Sequence, residues 1–285
     1  MKTWLIVLLM GTCAVCVNAA DPLVTRDVDY AETNHPRQTL DVYQPAGKKN
    51  CPVVIWIHGG AWRFGDKKAV QEKPKAFNEK GYVFVSVNYR FVPQVAMDDM
   101  ASDVAKAIQY VHKNADQYGG DAERLFVAGH SAGAHLAALV CTDHQYLNAQ
   151  GRQLSDIAGC VPVDTAVYDA AKQISGFGRI KAAMYVAAFG KEIESHKRFS
   201  PVTHVSEDKG IPPFLILHVA DRSDSTAQSN AFAAALSQAG VDASVVVGKN
   251  KTHATINQEM GLPGDACTTE VFCFLDALSK KTAAE

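Results

Sequence analysis

Short apolar runs recur along the chain at residues 53–57, 83–87, 125–128, 157–163, 214–219 and 244–247, most of them bounded by glycine, proline or polar residues. Runs this short, rich in Val, Ile and Phe and lacking a polar face, predict strands buried on both sides of a sheet. Between them the apolar positions change period. Met100, Val104, Ala107, Ile108 and Val111 recur at helical spacing and share one helix face. Comparable stretches predict helices over 68–80, 97–114, 131–141, 226–239 and 268–280. Strand and helix thus alternate without an internal repeat or low-complexity linker. That order predicts an α/β fold, a mostly parallel central sheet with right-handed crossovers and helices on both faces. Two further runs, 24–30 and "TLDVY" at 39–43, suit an antiparallel pair at one edge.

Composition adds bounds to this picture. With 285 residues, 47% hydrophobic and 20% charged, the chain can bury a sizeable core, and residues 21–285 read as one α/β domain. A net charge of -2 gives no electrostatic case for a nucleic-acid partner. The opening "MKTWLIVLLMGTCAVCVNAA" has a basic start, an apolar core and small residues up to Ala19 and Ala20. It reads as a secretory signal peptide over 1–20, which predicts a secreted or periplasmic protein without a stable membrane span after cleavage. Its apolar stretch falls short of the roughly 20 residues needed to span a bilayer.

Five cysteines follow the signal: Cys51, Cys141, Cys160, Cys267 and Cys273. An odd number leaves at least one thiol unpaired, and no metal-ligand spacing is present. Cys141 and Cys160 lie in apolar runs and read as small buried hydrophobes. Cys267 and Cys273 are near enough in sequence to pair, although a helix there would point them apart.

In a parallel sheet the chemistry collects beyond the carboxyl ends of the strands. The run 125–128 ends in "GHSAG" and the run 53–57 in "HGGAWRFGDK". A G-x-S-x-G turn between strand and helix raises a serine hydroxyl, here Ser131, into the crevice. Gly59 and Gly60 suit backbone N–H donors to an oxyanion, with the N–H of Ala132 completing the hole. His58 reads as a structural residue that orients the glycine loop. Serine needs a base held by a carboxylate. His253 follows the last predicted strand, and Asp221 lies just past the strand 214–219 with Asp224 as its competitor. The order Ser131, Asp221, His253 is the one found in α/β-hydrolases.

The segments "LDVYQP", "WIHGGAWRFGDK", "VSVNYR", "YGGDAERLFVAGHSAGAHLAAL", "PPFLILHVADR" and "KTHATI" resemble those of the α/β-hydrolase superfamily. Within it they resemble the carboxylesterase group that includes hormone-sensitive-lipase-like esterases and kynurenine formamidases. The resemblance implies Ser131 as nucleophile, Asp221 as acid, His253 as base, Gly59 and Gly60 as oxyanion glycines, and no metal or organic cofactor. Ala61 stands where many relatives have a third glycine, and "HVADR" where many carry a His-Gly turn. The implied partner is a small-molecule ester, with an arylformamide or an acetyl or feruloyl ester as alternatives. A non-catalytic binding module would have lost a triad candidate, and none is missing.

The stretch of about 165–205 is where this superfamily places its cap. There Phe177, Met184, Tyr185 and Phe189 either wall a pocket or form the core of cap helices. Trp62 and Phe64, on the glycine loop, are the substrate-binding candidates. A short cap predicts a preference for acyl chains of about two to four carbons or for aromatic groups. The sequence carries no sign of oligomeric state.

Overall fold

A computed structural model describes residues 22–176 and 179–282; the signal segment and Phe177 lie outside the described residues. The strands are β1 (Leu23–Asp29), β2 (Thr39–Gln44), β3 (Cys51–Ile57), β4 (Val83–Val87), β5 (Gly120–His130), β6 (Gly159–Val163), β7 (Phe214–Val219) and β8 (Ala243–Gly248). They form a single sheet in the order β1-β2-β4-β3-β5-β6-β7-β8. β2 pairs antiparallel with β1 and β4, and every later pair is parallel. The expected antiparallel edge and parallel centre are therefore both present.

The helices are α1 (Lys73–Lys80), α2 (Met97–Asn114), α3 (Ala132–Val140), α4 (His144–Asn148), α5 (Ala170–Ser175), α6 (Arg179–Phe189), α7 (Ile193–Arg198), α8 (Ser223–Gln238), α9 (Thr255–Gln258) and α10 (Ala266–Thr282). Side chains alternate across each strand, so Val53, Ile55 and Ile57 meet residues of α2, α3 and α8 in one core. Val54 and Trp56 meet Phe77 of α1 and Val271 and Leu275 of α10 in the other. The helix expected from residue 68 begins instead at Lys73, with Pro74 in its first turn, where a missing N–H costs no hydrogen bond.

All five cysteines of the described residues are free thiols. Cys267 is buried and Cys273 exposed on the same helix, α10, so the helix does turn them apart. Cys51, Cys141 and Cys160 are buried as well.

The carboxyl ends of β3, β5, β6, β7 and β8 bring their following loops to one edge of the sheet, and two glycines set how closely they approach. A Cβ on Gly133 would stand 2.1 Å from the carbonyl oxygen of Ile57, and one on Gly129 would stand 2.5 Å from that of Gly133. The start of α3 is thereby pressed against the end of β3, which carries the glycine loop. Only a residue without a side chain allows that contact.

Candidate active site

Ser131 stands between β5 and α3 with φ 57° and ψ -117°, a backbone region that L-residues avoid and that costs on the order of 1–3 kcal/mol. Its N–H donates to Val163 O at 2.9 Å. The same unfavourable sign of φ recurs at Ala61, Trp62 and Asp164, all of which border the same site. Strain of this kind persists only where the surrounding packing holds it.

His253, in the loop after β8, places Nε2 3.0 Å from Ser131 Oγ, and its Nδ1 lies 2.6 Å from Asp164 Oδ2. Asp164 directly follows β6. Its carboxylate is fully buried and accepts from Ser225 Oγ at 2.7 Å, from the Val219 N–H at 3.2 Å and from Arg222 Nη1 at 2.8 Å. Burial pushes the Asp164 carboxyl upward, but the bond to His253, the Arg222 guanidinium and Ser225 outweigh it and hold the group well below the usual carboxylate range.

The acid expected at Asp221 is therefore not the one beside His253. The chain leaves β7 through a turn that exposes Asp221 and brings Arg222 inward. Asp224, the competitor, accepts from Gln173 Nε2 at 3.1 Å and from the Ser225 N–H at 2.8 Å, also away from the histidine. Sequence reasoning missed both Asp164 and Arg222. A signal for Asp164 was present, since it follows a predicted strand that neighbours the serine's own and keeps the order Ser, Asp, His.

Arg222 Nη1 lies 2.7 Å from His253 Nδ1 as well as on Asp164. A guanidinium has no acceptor, so with the histidine proton on Nδ1 and shared with Asp164, the arginine bond goes to the carboxylate. That tautomer leaves Nε2 free to accept from serine.

The glycine loop lies against the serine. A Cβ on Gly59 would be 3.1 Å from that of Ser131, and Gly60 has φ 129° with its Cβ position blocked by Phe64 O. Arg37 clamps the loop at both ends, with Nη2 donating to His58 Nε2 and Nη1 to Asp66 Oδ2, each at 3.1 Å. His58 Nδ1 donates to Gly59 O at 2.7 Å and its ring stacks on Tyr89, contacts of a structural histidine. Ala132 opens α3, where backbone N–H groups have no partner within the helix.

Two buried groups hold the segment that carries His253. His130 Nε2 donates to His253 O at 2.8 Å, and Lys73 Nζ donates to Asn257 O at 2.6 Å. Burial pushes the Lys73 ammonium down to about 7.

Trp62 is buried, its Nε1 donating to His135 Nδ1 at 3.3 Å and its ring meeting Phe189 edge-on. Phe64 is 64% exposed at the mouth of the cleft. The segment between β6 and β7 carries α5, α6 and α7. From it Met184 and Tyr185 border the site, whereas Phe189 belongs to the core beneath. Among the described residues no cluster of His, Cys, Asp and Glu is placed to hold a metal, and no helix is long and apolar enough to cross a membrane.

Burial pushes His58 and His135 down to about 4, and burial together with the His253 ring pushes His130 to about 3. All three bind a proton more weakly folded than unfolded. Their contribution is complete above the ordinary histidine value near 6.5 and is withdrawn as pH falls toward 4, at up to about 1.4 kcal/mol per unit for each. The urea midpoint should therefore drop steadily between pH 6.5 and 4. A midpoint that stays constant over that range would contradict the burial of these rings.

The fold and this geometry have parallels. Residues 40–236 match the BD-FAE family. A probable isoprenylcysteine alpha-carbonyl methylesterase of Oryza sativa subsp. japonica is 31% identical over 253 residues, covering 82% of this chain and 57% of that protein. Esterase LipQ of Mycobacterium tuberculosis is 32% identical over 239 residues, covering 71% and 53%. The chain thus spans just over half the length of these relatives. The crystal structure of an inhibited esterase B from Lactobacillus rhamnosis superposes with a TM-score of 0.79 at 23% identity, covering 92% of this chain and 89% of that one. Its likeness is one of fold, and the fold is that of α/β-hydrolases.

Proposed function

The chain belongs to the BD-FAE family, and from that premise we propose that it is a carboxylic ester hydrolase with Ser131 as nucleophile, His253 as base and Asp164 as the carboxylate that orients the base. The observation that carries this reading is the continuous line from Ser131 Oγ through His253 to Asp164, at 3.0 Å and 2.6 Å. The names of the relatives, a methylesterase and an esterase, support the same class of reaction.

In this mechanism His253 Nε2 takes the Ser131 proton as Oγ attacks the ester carbonyl carbon. Negative charge moves to the carbonyl oxygen, where the N–H groups of Gly59, Gly60 and Ala132 receive it. Such donors stabilise charge most where water is excluded. The imidazolium, held by Asp164, then protonates the leaving alcohol oxygen as the carbon–oxygen bond breaks. Water, deprotonated by the same histidine, attacks the acyl-enzyme and releases the acid and free Ser131. Export through the amino-terminal signal would bring the enzyme to extracytoplasmic esters. Turnover of p-nitrophenyl acetate with acetyl transiently bound to Ser131 is the expected result. Its absence, with phenyl acetate and N-formylkynurenine equally inert, would contradict the proposal.

A further inference from the structure

His135 stands one turn past Ser131 in α3, its backbone N–H donating to Ser131 O at 3.1 Å. The residue is fully buried and does not border the cleft at Ser131. Its ring nevertheless joins two other parts of the site. Nε2 lies 2.7 Å from Phe199 O, where α7 of the cap segment ends, and Nδ1 lies 3.3 Å from Trp62 Nε1 on the glycine loop. A carbonyl oxygen only accepts and an indole N–H only donates. The ring proton therefore sits on Nε2, and Nδ1 accepts from the tryptophan. The other tautomer would set two donors face to face and leave the carbonyl unpaired. Burial, which pushes this imidazole down to about 4, keeps it in the neutral form at neutral pH.

The bond to Trp62 matters because of the turn that residue belongs to. Trp62 and Ala61 hold φ of 61° and 49°, a region that L-residues keep only where neighbours impose it. Just before them, Gly60 O accepts from the N–H groups of Arg63 and Phe64, each at 3.0 Å, so the turn from Gly60 to Phe64 is closed on itself. Its outer side is fastened by Val92, whose N–H donates to Trp62 O at 3.1 Å, and by the indole bond to His135. A tryptophan freed from His135 must carry its buried N–H to another partner, and a turn this tight passes the movement on to the peptide of Gly60.

Resting on the reading of Ser131 as nucleophile, we propose that His135 is a positioning residue of the oxyanion hole: it holds Trp62, and through it the Gly59 and Gly60 N–H groups, in place relative to Ser131, and it fastens the cap to the same point. The helix that carries the nucleophile thereby sets the loop that receives the negative charge. Those donors act on charge that develops at the carbonyl oxygen, so the effect falls on the transition state rather than on substrate binding.

Three variants of the whole protein test this, each checked for folding by circular dichroism. His135→Phe keeps an aromatic ring but offers Trp62 no acceptor, and Trp62→Phe removes the donor. His135→Asn brings an amide oxygen to the place of Nδ1, keeping the bond to Trp62 while giving up the cap carbonyl. With p-nitrophenyl acetate, kcat should fall roughly tenfold to a hundredfold in His135→Phe and in Trp62→Phe, below the cost of about 10²–10³-fold for deleting an oxyanion donor outright. KM should stay within about threefold in both, as for an interaction made only in the transition state. The double variant should lose no more than about threefold beyond either single one, since both break the same bond. His135→Asn should keep kcat within about fivefold of the unaltered protein, because its amide oxygen accepts as Nδ1 does. A trifluoromethyl ketone, which forms a tetrahedral oxyanion on Ser131, should bind more weakly in proportion to the lost kcat/KM. In proton–nitrogen correlation NMR, the Trp62 indole resonance should move in His135→Phe and stay near its place in His135→Asn. Unchanged kcat in whichever of His135→Phe and Trp62→Phe folds, losses that multiply in the double variant, or His135→Asn as slow as Trp62→Phe would overturn the positioning role alone. Absence of ester turnover in the unaltered protein would overturn it together with the proposed function.

Discussion

Asp164→Asn is expected to lower kcat by roughly 10⁴-fold, the cost of presenting an orienting amide instead of a carboxylate to a catalytic histidine. The cause is the tautomer. An Asn side chain at this position can offer an N–H to His253 Nδ1 and so move the ring proton to Nε2, where it blocks acceptance from Ser131. Arg222 adds to the effect, because its Nη1 already lies 2.7 Å from Nδ1 and donates to that atom once the proton has left it. Asp221→Asn, by contrast, changes an exposed side chain and should alter kcat by no more than about twofold, as ordinary surface substitutions do for stability. Steady-state rates of the two variants decide between the carboxylates. A larger loss in Asp221→Asn than in Asp164→Asn would contradict the geometry described above.

Ser131→Ala should reduce kcat by about 10⁶-fold, the scale of loss when a triad nucleophile is removed, and leave only what the oxyanion donors and binding supply. The variant should remain folded, since the hydrogen bond lost is the one between the serine Oγ and His253. Ser131→Gly should be as inactive and yet more stable, by about 1–3 kcal/mol if the whole backbone strain is released. Activity assays paired with urea unfolding check both. Ordinary turnover in Ser131→Ala, or a glycine variant less stable than the alanine one, would contradict the assigned role of this turn.

Much of the fold was legible because β4, β7 and α2 each carry an uninterrupted apolar run or a regular apolar face. The strand expected at 83–87 is β4, that at 214–219 is β7, and the helix expected at 97–114 is α2. The meeting of Ser131, His253 and the two glycines at one edge of the sheet was legible because each follows a strand, and because steric demands at Gly60 and Gly133 leave a local mark in the sequence. The acid was not. A carboxylate needs no special backbone or neighbouring motif to serve an imidazole, only proximity, and Asp164 and Asp221 both sit just past a strand end. What separates them is the direction of the turn after β7, which points Arg222 inward. Trp62 was legible as a site residue but not as a buried one. The left-handed backbone at Ala61 and Trp62 turns the Trp62 ring against Tyr185 and Phe189 of α6 and leaves Phe64 at the surface.

The most direct test of the central claim is covalent labelling with a p-nitrophenyl alkylphosphonate, followed by intact mass and peptide mapping. One phosphonyl group per chain on the peptide containing Ser131 is expected, with labelling strongly slowed in Asp164→Asn and unchanged in Asp221→Asn. Labelling on another residue, or labelling as fast in Asp164→Asn as in the unaltered protein, would contradict a serine nucleophile driven by His253 and Asp164.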